Sequence, residues 1–71
     1  MSNAEKLARM ANQIATFFAT QPGEDGDEKV AAHINDFWAP PMRAELHQMI
    51  ASGADLHPLV IEADNHLRLP A

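Results

Sequence analysis

The sequence predicts a small all-α domain, with three main helices and a shorter helix at the C-terminal end. Three observations carry this. Apolar residues recur at the i, i+3, i+4, i+7 spacing of one helix face in four successive segments. No segment reads as a strand. Proline and glycine punctuate the boundaries between the segments, at Pro22-Gly23, Pro40-Pro41 and Gly53. A chain of 71 residues is one domain at most, so residues 1–71 are expected to form a single helical unit with frayed ends at 1–3 and 68–71.

The first helix is expected over about residues 3–19. Leu7, Met10, Ala11, Ile14, Phe17 and Phe18 line one face. Ser2 or Asn3 suits the N-cap, and Glu5 sits in the first turn, where the helix dipole favours an anion. Gln21-Pro22-Gly23 ends it. Residues 23–28 form an acidic, turn-rich loop whose charges need water or a partner. The second helix begins near Asp25 or Asp27, with Val30, Ile34, Phe37 and Trp38 as its apolar face. Pro40 stops it, because the residue before a proline is pushed out of the α region.

The same prolines suit the first turn of a third helix, where a missing N–H costs nothing. Met42, Leu46, Met49 and Ile50 give that helix its apolar side, and Gly53 suits a left-handed stop. Asp55 is the expected cap of the short fourth helix, with Pro58 in its first turn. Leu56, Leu59, Val60, Ala63 and Leu67 supply its stripe. The proline corner between the second and third helices implies a wide crossing angle.

Composition excludes several functions. The net charge is −5, and the five fixed positive residues form no basic stripe, which argues against nucleic acid and against an anionic membrane surface. No apolar run approaches the ~20 residues needed to span a bilayer. Glu5 and Lys6 stand where a signal peptide needs a basic region and an apolar core, so the cytoplasm is the expected location. There is no cysteine to supply a disulfide or a thiolate ligand.

No catalytic, cofactor-binding or metal site is expected. His33, His47, His57 and His66 lack the i, i+4 spacing of a helical zinc pair. Glu62 and His66 are four apart and read as a surface helix pair. Asp25-Gly-Asp-Glu28 has the composition of a calcium loop but not its ligand pattern, and it reads as a solvated turn. The two serines lie in no nucleophile turn, and no glycine-rich phosphate loop follows a strand.

The informative stretch is residues 33–43. It holds the only tryptophan, Trp38, beside Phe37, and then turns a corner at Pro40. Two readings compete. Phe17, Phe18, Phe37 and Trp38 are large enough to fill a small core. Adjacent helix residues, however, point about 100° apart, so neither pair can face one place. One ring of each pair is expected in the core and the other at a shared surface. Aromatics, methionine and arginine are enriched at interfaces. Phe18, Phe37, Trp38, Pro40, Met42 and Arg43 are therefore the candidate partner-binding residues, and surplus rings imply that the chain alone either self-associates or exposes an apolar patch that includes Trp38, Phe37 or Met42.

Two segments resemble the delta subunit of NAD-dependent, molybdenum- or tungsten-containing formate dehydrogenases. They are Lys6-Leu-Ala-Arg-Met-Ala-Asn-Gln-Ile-Ala-Thr-Phe-Phe18 and His33-Ile-Asn-Asp-Phe-Trp-Ala-Pro-Pro-Met-Arg43. The segment Ala51-Ser-Gly-Ala-Asp-Leu-His-Pro-Leu-Val60 fits as well, and the resemblance spans about residues 5–67. The chain departs from the pattern at Pro41, where a basic residue is expected. The resemblance implies a non-catalytic subunit that binds the large catalytic subunit and supports assembly or stability of a formate-oxidising complex. Molybdopterin, iron–sulfur clusters and flavin would sit in the partner subunits. The alternative is a small adaptor or chaperone-like protein acting transiently during cofactor insertion.

Overall fold

The computed structural model describes residues 2–69. Among them lie four α-helices, α1 (Asn3–Ala19), α2 (Gly26–Phe37), α3 (Pro40–Ala51) and α4 (Pro58–Ala63), followed by a 3-10 turn over Asp64–His66 and no strand. The fold is the all-α class that the periodicity predicts.

Local chemistry sets most helix ends. The Ser2 hydroxyl accepts the Glu5 N–H and so satisfies one orphan donor at the start of α1. At its other end the Thr20 hydroxyl donates to the Phe17 carbonyl. Pro40 opens α3 with a residue that has no N–H to leave unpaired. Gly53, at φ +84°, ends it in the left-handed region that favours glycine.

Two boundaries differ from the sequence reading. The cap of α4 is His57, not Asp55, and its Nδ1 accepts the Leu59 N–H at 3.1 Å. The backbone N–H of His57 donates in turn to Asn12 Oδ1 in the middle of α1, at 2.9 Å. A tertiary partner thus fixes where α4 begins. The fourth helix also stops at Ala63, and Leu67 follows in extended conformation.

The core is built from Leu7, Ala11 and Ala15 of α1, Val30, Ala31, Ile34 and Trp38 of α2 and its end, Leu46 of α3, and Leu56, Val60 and Ala63 near α4. Its contact with four buried alanines lets the helices approach closely. α2 packs against both α1 and α4, and α3 packs on α1. The Gly26 backbone meets Leu59 so closely that a Cβ there would stand 3.2 Å from the leucine Cδ1.

The core stripe of α2 therefore runs through Val30, Ala31, Ile34 and Trp38. Phe37, expected on that inner face, is 74% exposed. It is the last residue of α2, and its ring meets His33 at the edge of the stripe and not the core.

The C-terminal segment is tied down through Arg68. Its N–H donates to Asn35 Oδ1 at 2.8 Å, and its carbonyl accepts from Arg43 Nε at 2.6 Å. The expected frayed tail thus does not begin at 68, and residues 70–71 lie outside the described residues.

Candidate functional surface

The two aromatic pairs divide, one ring inward and one outward. Trp38 is 5% exposed and Phe18 is half-buried, whereas Phe37 and Phe17 are exposed. The geometry follows from the helical step. In α1, Met10, Ile14 and Phe17 occupy one edge of the stripe, four and three residues apart. In α2, His33 and Phe37 occupy the facing edge, four apart. The two edges meet and form a continuous strip.

Four rings form a ladder across that strip. Phe17 and Phe18 meet edge to face with centroids 5.2 Å apart. Phe18 lies 6.3 Å from the His33 ring, and His33 lies 4.7 Å from Phe37. Two open hollows flank the ladder. One, of about 280 Å³, is lined by Gln13, Ile14, Phe17, Phe18 and His33. The other, of about 370 Å³, shares Gln13, Ile14 and His33 and adds Met10, Phe37, Trp38 and Met42.

Charge is depleted here. From Met10 to Gly23 the chain carries no acidic or basic residue. Contiguous exposed apolar surface with few charges is the composition of a protein interface. A further surface hollow, of about 550 Å³, is lined by Arg9, Asn12, Gln13 and Thr16. It is walled by one helix face alone, which cannot enclose a ligand.

The structure sorts the candidate partner-binding residues. Phe37 is the most exposed. Phe18 and Met42 are half-buried against the core and reach the strip from beneath. Pro40 is exposed at the start of α3. Trp38 sits in the core and offers only an edge. Arg43 is engaged within the fold, donating from Nη1 to the Trp38 carbonyl at 2.6 Å and from Nε to the Arg68 carbonyl. Phe17 and Met10 are exposed and belong to the same strip, although the sequence reading does not name them among the candidates. The exposed side of the Phe17/Phe18 pair depends on which edge α2 leaves open, and α1's own periodicity does not contain that.

The histidines serve the fold or the ladder. His47 Nδ1 lies 2.7 Å from Asp64 Oδ1, and His66 Nε2 lies 3.0 Å from Asp27 Oδ2. The partner of His66 is thus an aspartate at the start of α2, not Glu62 one turn back. The hydrogen bond from His66 holds the Asp27 carboxyl below its ordinary value, against a smaller opposing effect of desolvation. Among the described residues no three His, Asp or Glu side chains converge as a set able to hold a metal ion. No helix among them is long and apolar enough to cross a membrane.

Residues 6–63 match the family described as NADH-dependant formate dehydrogenase delta subunit FdsD. The chain belongs to this family. The match covers both segments that carry the resemblance, and it spans α1 to α4 and the whole aromatic strip. A comparison with curated proteins finds no match. Membership as a delta subunit implies a complex with other formate dehydrogenase subunits.

Proposed function

We propose that this chain is a non-catalytic accessory subunit of a cytoplasmic NAD-dependent formate dehydrogenase. In this reading it binds the large catalytic subunit through the Phe17–Phe37 strip and supports assembly or stability of the complex. The carrying observation is that a delta-subunit chain leaves two phenylalanines, Phe17 and Phe37, exposed at the two ends of one ring ladder, beside a stretch of α1 that carries no charge. Burying such rings removes apolar area from water, and aromatic anchors are typical interface hot spots. Molybdopterin, iron–sulfur clusters and flavin belong to the partner subunits in this account, and this chain binds none of them.

The test is affinity purification of the tagged chain from its own cells. Wild type is expected to bring down the catalytic subunit, and lysates are expected to reduce NAD⁺ with formate. Phe17→Asp/Phe37→Asp should keep its helicity yet lose co-purification. If the double variant retains its partner, the strip is not the docking face. The isolated wild-type chain should also self-associate through these rings at high concentration, and the double variant should sediment as a monomer.

A further inference from the structure

The chemistry of the Phe17–Phe37 strip restricts what can cover it. Apart from Gln13, His33 and the Trp38 indole, only apolar side chains line its two hollows. An extended segment laid on such a surface would bring main-chain N–H and C=O groups against apolar carbon, where each needs a partner. Among the described residues there is no strand whose edge could supply those partners. A helix satisfies its own main chain and presents only side chains. The strip also has the shape for one. It follows α1 from Met10 to Phe18, about 12 Å, with His33 and Phe37 of α2 as its second wall. One hollow reaches toward Met10 and the other toward Phe18. Their centres are about one helical turn apart along α1, the step between anchors at i and i+3 or i+4 of a seated helix.

Charge marks one flank of the strip. The whole chain has a net charge of −5, yet from Lys6 to Gly23 its only charged residues are Lys6 and Arg9. Both are exposed. Arg9 lines a polar hollow with Asn12, Gln13 and Thr16, and Gln13 also lines both hollows of the strip. The cation therefore stands on a polar shelf beside the rings. On the opposite wall Asp36 is exposed next to Phe37, so the basic flank belongs to α1 alone.

We propose that the strip receives an amphipathic helix of another formate dehydrogenase subunit, with apolar side chains in the two hollows and carboxylates on the flank that faces Arg9. This rests on the strip being the docking face. It adds the form of the occupant, its direction along α1 and the sign of its charge.

The test uses the assembled complex, purified through a tag on this chain. A diazirine amino acid replaces Met10 in one variant and Phe17 in another. Both positions are exposed, and they lie about 10 Å apart along α1. After irradiation, peptide mass spectrometry identifies the residues captured. On a helix lying along the strip they should be about seven residues apart, and on an extended segment about three. The captured segment should carry Asp or Glu on the side next to its apolar stripe. Affinity for the captured subunit, read by biolayer interferometry, should fall roughly fivefold in Arg9→Glu at low salt and by less than about twofold at ~0.5 M salt, because exposed charges are screened. Circular dichroism checks that each variant keeps its helices. Captured residues about three apart, capture of a second copy of this chain in place of another subunit, or an Arg9→Glu chain that binds like wild type at low salt overturns the proposal. Absence of capture from both positions in an intact complex sinks the docking face itself, which separates the two failures.

Discussion

Adjacent rings at residues 37 and 38 should behave as opposites when truncated. Trp38 is 5% exposed and packs in the core, so Trp38→Ala removes a filled volume that the surrounding helices cannot fully close. Such substitutions cost about 3–5 kcal/mol. A domain of this size has a total stability of about 5 kcal/mol or less. The variant is therefore expected to be largely unfolded, or close to it, at 25 °C. Phe37 is 74% exposed, so only about a quarter of the residue is withdrawn from water. A quarter of a large ring is roughly 50 Å², worth about 1 kcal/mol at ~25 cal/mol per Å². Phe37→Ala should lower Tm by no more than about 4–8 °C. Urea titrations followed by far-UV circular dichroism measure both, because the tryptophan signal vanishes in one of them. Equal destabilisation by the two variants would refute the division into core ring and surface ring. So would a Trp38→Ala chain that melts like wild type.

Three further outcomes are expected. Asn12→Ala leaves the half-buried His57 N–H without its acceptor and should cost about 1–2 kcal/mol, whereas Asn12→Asp, which keeps an acceptor oxygen, should lose less; thermal melts of the two decide it. Asp27 has a folded-state pKa lowered by His66, so its contribution to stability is present above the ordinary value of 3.8 and is lost as pH falls through the lowered folded value. The advantage of wild type over Asp27→Asn in urea midpoint should accordingly shrink below about pH 4, and a difference that grows with acid would reverse the assigned sign. Calorimetric titration with zinc should reveal no tight stoichiometric site, and one abolished by His47→Ala would contradict the reading of His47 as the partner of Asp64.

Much of the fold is legible in the chain because its signals are local. The bounds of α1, the proline corner and the glycine stop after α3 follow from backbone chemistry within a few residues. The family match is also contiguous, over residues 6–63. The start of α4 is not local, because His57 is chosen by an asparagine 45 positions earlier in α1. Asp55 has the better capping side chain by propensity, and a tertiary bond overrides it.

The sequence by itself determined that the chain is helical, where most helices stop, and that four large rings cannot all be buried. Tertiary structure decided which rings those are. Packing of the helices takes Trp38 into the core with Ala11, Ala15, Ala31 and Ala63 and leaves Phe17 and Phe37 outside, on edges of α1 and α2 that only meet once the helices pack. It also engaged Arg43, a candidate partner contact, with the main-chain carbonyls of Trp38 and Arg68. Periodicity reports which side of a helix is apolar. The width of the seam between two helices, which sets how much of that side is covered, depends on both of them at once.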